Sequence, residues 1–119
     1  MKRDMELIRL LLLEQEQGEA PAELSAYSEE DALYNYALMV DAELIVANLI
    51  PETGVPVSVA VHRLTWAGHD FLDASRDSKI WKMAKEQILK PGASWTFSLL
   101  VEWLKQEAHK RVFGLPPSR

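Results

Sequence analysis

An α+β fold is predicted by three features: a helix-forming N-terminal run, two β-branched stretches around a proline-flanked loop, and a turn from the second stretch straight into a helix. The last feature is the most informative. Val57-Ser58-Val59-Ala60-Val61 is strand-like, and Arg63-Leu64-Thr65-Trp66-Ala67-Gly68-His69-Asp70-Phe71-Leu72 leaves it for a helix with glycine in its first turn. Many winged-helix domains leave their wing in this way. The architecture expected is therefore winged-helix-like (helix, helix, β-hairpin wing) with added C-terminal helices.

The first helix is predicted from about Met5 to Gln17, with Asp4 as its N-cap. Met5, Ile8, Leu11 and Leu12 form one stripe, while Leu7, Leu10 and Leu13 extend the apolar surface nearly all round. Such a helix is either central to the fold or shared with a partner subunit. Gly18 stops it and Pro21 keeps the chain non-helical. Glu23 to Tyr27 has room for one brief strand. Ser28-Glu29-Glu30-Asp31 resembles a capping box and opens a second helix running to Glu43. Leu33, Tyr36 or Ala37, Val40 and Leu44 are its expected buried face.

Ile45 to Ile50 and Val57 to Leu64 are predicted strands, and Pro51 to Pro56 suits a hairpin tip. Val57, Val59 and Val61 share a face that Leu64 breaks, so a bulge or the strand end is expected near His62. Thr65 suits the cap of the next helix, and Asp77-Ser78 interrupts or re-caps it. Ile80, Trp81, Ala84 and Ile88 then form a helical stripe, broken by Pro91-Gly92. Ser94 is the expected cap of a last helix with the stripe Phe97, Leu100, Val101, Leu104 and Ala108, ended by Gly114 and Pro116-Pro117. The division expected is a winged-helix-like domain over 1–75, a helical extension over 76–115 and a tail over 116–119.

A chain of 119 residues supports one core of its own. The absence of cysteine excludes disulfides, thiolate metal sites and a cysteine nucleophile. The opening Met1-Lys2-Arg3-Asp4-Met5-Glu6 does not resemble a signal peptide, and no apolar run is long enough for a bilayer. A cytoplasmic protein with no membrane association is the default expectation. Charge is unevenly spread. Residues 1–61 hold three Lys/Arg against twelve carboxylates, whereas residues 62–119 hold ten against six. Such a split marks a nucleic-acid-binding end, two parts that attract each other, or ordinary solvated helix faces.

Three segments carry a family resemblance. They are Met1-Lys2-Arg3-Asp4-Met5-Glu6-Leu7-Ile8-Arg9, the helix from Tyr27-Ser28-Glu29-Glu30 through Ala42-Glu43-Leu44-Ile45, and Arg63-Leu64-Thr65-Trp66-Ala67-Gly68-His69-Asp70-Phe71-Leu72-Asp73. With Gly92-Ala93-Ser94 and the last helix, they make the chain similar to the uncharacterised bacterial and prophage family numbered 2513 among domains of unknown function. The resemblance implies a small winged-helix-like protein with no assigned activity and no catalytic residues. The family pattern has Glu-Ala-Gly where this chain has Asp41-Ala42-Glu43.

No catalytic signature, cofactor loop or metal-ligand spacing is present, so neither an enzyme nor a cofactor is expected. His69 and Asp73 share a helix face, which suits a surface pair better than a ligand set. DNA binding is possible on fold grounds but disfavoured. The candidate recognition helix has no Lys or Arg, five carboxylates (Glu29, Glu30, Asp31, Asp41, Glu43) and Asn35 as its only amide. If nucleic acid is touched, Lys2, Arg3, Lys79 and Lys82 are the candidate contacts. Trp81 is expected in the core, and Trp66 and Trp95 against neighbouring elements at helix starts. Leu10 and Leu13 on the first helix, with Leu99 and Trp103 on the last, are surplus apolar positions and the candidate interface. The function expected is a non-catalytic binding or regulatory module that self-associates through its terminal helices and meets a protein partner of unspecified identity. A winged-helix transcription regulator is the alternative.

Overall fold

The computed structural model describes residues 2–52 and 55–114. The chain divides into two compact units, Met1–Leu72 and Asp73–Arg119. The first begins with α1 (Met5–Gln17), capped by the Asp4 carboxylate, which accepts the Leu7 N–H at 3.1 Å. Gly18 closes it in the left-handed region. Met5, Leu7, Ile8, Leu10, Leu11 and Leu12 are all buried within the single chain, which explains a helix apolar on so many sides.

The segment expected to hold a brief strand is instead a short 3-10 helix, Ala22–Ala26. Pro21 at its start supplies a fixed φ and lacks the N–H a strand ladder needs. Two residues later α2 (Glu29–Asp41) begins, with Ser28 Oγ accepting from Asp31 N at 3.1 Å. Its buried residues are Asn35, Tyr36 and Met39, so the inward face is centred to one side of the stripe that hydrophobicity alone suggests. α1 packs on α2, on the 3-10 helix and on the second strand, while α2 packs on both strands.

α2 stops two residues earlier than expected. Ala42 is its C-cap, and Glu43 takes a φ of 59°, a left-handed conformation that favours glycine. Leu44 N donates to Met39 O at 2.9 Å and Glu43 N to Val40 O at 3.0 Å, the paired bonds of a Schellman ending. The sharp stop thus survives without glycine, at the expense of a left-handed glutamate. Glu43→Gly is expected to raise stability by about 1 kcal/mol. An unchanged or lowered urea midpoint would contradict this.

Strands β1 (Ile45–Glu52) and β2 (Val55–Leu64) form a two-stranded antiparallel sheet. Val46 pairs with Arg63 and Ala47 with Val61, so His62 is an extra residue on β2. This is the bulge that the phase break at Leu64 requires, and it turns Leu64 inward opposite Ile45. A second irregularity, between the Ile50–Ser58 and Pro51–Pro56 pairs, also puts its extra residue on β2. The centre of the expected tip, Thr53-Gly54, lies outside the described residues.

α3 (Trp66–Ala74) follows at once and crosses the division between the units. Thr65 locks its start. Its N–H donates to Leu44 O at 3.0 Å, its Oγ1 donates to Glu43 O at 2.6 Å, and the same oxygen accepts from Gly68 N at 3.0 Å. Gly68 packs directly on the Leu44 carbonyl, where no Cβ fits.

The second unit contains α4 (Ser78–Gln87) and α5 (Phe97–Phe113), packed together. Ile80, Trp81, Ala84, Leu100 and Leu104 are buried, as their stripes require. Asp77 caps α4 through the N–H groups of Ile80 and Lys79, which hold its carboxyl below the ordinary range. Thr96, rather than Ser94, caps α5 by accepting from Leu99 N at 3.2 Å. Gly114 ends α5, and Pro116-Pro117 lies outside the described residues.

Candidate functional site

α2 is the helix expected from sequence to be the candidate recognition helix, and its buried polar side chains, Asn35 and Tyr36, are already engaged. Asn35 is 1% exposed. Its Oδ1 accepts from Asp4 N at 2.9 Å, and its Nδ2 donates to Lys2 O at 3.2 Å and Asp31 O at 2.9 Å. The only amide of the helix therefore ties α2 to the segment before α1 and presents nothing to a ligand. Tyr36 beside it donates to Glu14 Oε1 and accepts from Gln15 Nε2, both at 2.9 Å. Burial pushes its hydroxyl well above the usual phenol range, so it remains a donor at any physiological pH. What α2 offers outward is acidic: Glu29, Glu30, Asp41 and the neighbouring Glu43 are exposed. A surface of this sign repels phosphate.

The hairpin has a different character. Ile45, Ala47 and Leu49 face inward, while Val46, Asn48 and Ile50 are exposed on the other face. Val46 is 38% and Ile50 52% exposed, and β1 carries no charge from Ile45 to Ile50. Trp66, at the start of α3 just after β2, is 84% exposed. It does not lock its helix against a neighbour as its first-turn position suggested; Thr65 and Gly68 do that. Trp95 is half-buried. The near-continuous apolar run from Ile45 to Ile50, broken only by Asn48, was the available signal, because a strand turns alternate residues to opposite faces and so carries Val46 and Ile50 outward.

The interface positions expected from sequence separate. Leu10 is buried at 1% exposure and cannot meet a partner without unfolding α1; Leu13 is half-buried. On α5, Leu99 is 59% exposed and Trp103 half-buried, and Val112 and Phe113 add exposed apolar surface near the helix end. The ring of Phe113 lies tilted against that of His109, with centroids 4.6 Å apart. Lys2, Arg3, Lys79 and Lys82 are all exposed, the first pair in unit one and the second on α4. By charge, the first unit holds thirteen carboxylates against four Lys/Arg and the second five against nine.

The His69–Asp73 pairing does not form, because the Asp73 carboxylate instead accepts from Arg76 Nε at 3.0 Å and Nη2 at 2.8 Å. Among the described residues no group of three or more His, Asp or Glu side chains has a metal-binding arrangement. No helix among them is long and apolar enough to cross a membrane.

The sequence pattern of a family described as "Hypothetical protein (DUF2513)" matches residues 2–94. The match thus spans the first unit and α4 and stops before α5. An uncharacterized protein of Haemophilus influenzae is 32% identical over 114 residues, covering 91% of this chain and 92% of its own length. No solved structure gives a significant match.

Proposed function

Taking as premise that the chain belongs to the DUF2513 family of hypothetical proteins, we propose that it is a non-catalytic binding or regulatory module that engages another protein. The first unit is winged-helix-like in this reading. The 3-10 helix Ala22–Ala26 stands where the first helix of a helix-turn-helix pair would be, α2 follows after Tyr27-Ser28, and the hairpin is the wing. The observation that carries the reading is Trp66, an indole left 84% exposed directly after a hairpin whose first strand also turns Val46 and Ile50 outward. Tryptophan is over-represented among residues that anchor protein interfaces, because it buries a large rigid surface and keeps one donor for the rim.

A second reading has one specific observation in its favour. The later unit is basic, and Lys79 and Lys82 are exposed on α4. There the chain contacts a polyanion through α4 instead of α2, as a transcription regulator of unusual polarity.

One experiment separates them. A photo-crosslinking amino acid at position 66 is expected to couple the protein to another polypeptide, and the same group at position 30 is not. Trp66→Ser is expected to reduce complex formation while shifting stability by no more than about 0.5 kcal/mol, since the indole is solvated in the free chain. Salt-sensitive binding to random duplex at about 50 mM salt, lost in a Lys79→Glu/Lys82→Glu variant, would overturn the protein-contact reading and install the second one.

A further inference from the structure

Among the described residues, each strand of the hairpin has one side without a neighbouring strand. Exposed strand edges invite pairing with another chain, and proteins guard them with bulges, charges and proline. Here the guards stand on β2. Both extra residues of the ladder belong to it, and it carries Arg63, His62 and Pro56. β1 is regular and uncharged from Ile45 to Ile50, and Pro51 stands only beyond that stretch. Among the described residues, no backbone hydrogen bond outside the β1–β2 ladder reaches residues 46–50.

The order of side chains along β1 is symmetric in character about Asn48. Val46 and Ile50 flank it on the outward face, and Ala47 and Leu49 on the inward face. We propose that β1 is the self-association edge of this protein. It pairs antiparallel with β1 of a second copy about a two-fold axis at Asn48, and the two hairpins become one four-stranded sheet. In this register each Val46 lies opposite the Ile50 of the other copy, and Asn48 lies opposite its own counterpart, where an amide both donates and accepts. The match of apolar to apolar residues on both faces is what selects a second copy over an unrelated strand. A foreign segment would require no such symmetry. An isologous contact brings identical residues together at the axis, so a neutral edge is also a precondition. A two-stranded hairpin is marginal alone, and extension to four strands gives it the width that independent sheets need.

The proposal deepens the protein-contact reading by naming one partner, and it places self-association on β1 in place of the terminal helices. It does not depend on Trp66, whose crosslinking partner is a separate question. The full chain is expected to sediment as a dimer at about 50 μM and to dimerise more tightly at higher salt, because each copy carries a net charge of −5. Val46→Lys or Ile50→Lys should return it to monomer, with its circular dichroism unchanged because both side chains are already exposed. The chain has no cysteine of its own, so Asn48→Cys introduces a single thiol. Directly opposed residues in an antiparallel pair lie about 4.5–5.5 Å apart at Cα, within disulfide range. Mild oxidation is therefore expected to link Asn48→Cys into a covalent dimer and to leave Ser58→Cys, on the far strand, unlinked. Monomer at all concentrations, a dimer that persists in both lysine variants, or equal linkage at positions 48 and 58 would each overturn the proposal.

Discussion

Gly68→Ala is expected to destabilise the first unit by at least about 3 kcal/mol, a large share of the stability of a domain this size. The alanine Cβ would land on the carbonyl oxygen of Leu44, inside van der Waals contact, with Leu64 Cβ a further 3.5 Å neighbour. The oxygen is backbone and has no rotamer to yield. It also accepts from Thr65 N, and Thr65 in turn holds Glu43 O and Gly68 N. Moving α3 away to relieve the clash would break those three bonds together. Urea unfolding followed by circular dichroism is the measurement. With a slope near 1.5 kcal/mol per molar, the midpoint should fall by about 2 M. A shift below about 0.5 M would show that the α3 start slides freely, against the geometry described here.

The second large effect is expected from Asn35→Asp. The exchange keeps the shape and removes the two donors that satisfy Lys2 O and Asp31 O, leaving a buried carboxyl facing two carbonyl oxygens. An unpaired buried charge is costly, so the group is expected to remain protonated far above its usual range, and the loss at pH 7 should be about 3 kcal/mol or more. The sign with pH follows. Below the unfolded value of about 4, both states carry the proton and only the lost hydrogen bond is felt. As pH rises past that value, the unfolded chain ionises first, and the deficit grows until the folded group also gives up its proton. Unfolding free energies at pH 4 and pH 7 should therefore diverge from those of the native chain. A deficit independent of pH would mean that Asn35 is wetter than its hydrogen bonds require.

Much of the architecture was legible because its causes are local. Asp4, Ser28 and Asp77 announce helix starts by chemistry confined to three or four residues, and Gly18 and Gly114 announce ends in the same way. The bulge at His62 followed from a phase break in a period-two pattern. What was not legible depends on distant partners. Nothing near Asn35 says that its amide will meet Asp4 and Lys2, more than thirty residues away, so in sequence it stands only as the one amide on an acidic helix. Leu10 was misjudged for a related reason: apolar residues on every side of a helix signal either a central position or a shared one, and periodicity does not distinguish them. Trp66 went the other way. Its place in a first turn suggests packing, yet Thr65 and Gly68 make the contacts that hold the start of α3, and the indole is left outward. The 3-10 helix at Ala22–Ala26 was missed because five residues carry too little pattern to separate a helical turn from a short strand.

The clamp formed by Glu43, Leu44 and Thr65 has a consequence for how this chain tolerates change in length. Both feet of the hairpin are pinned at one point, so the register of the ladder beyond them is set from a closed neck. Residues added or removed in matched pairs beyond the Ile50–Ser58 pair are therefore expected to leave that junction in place.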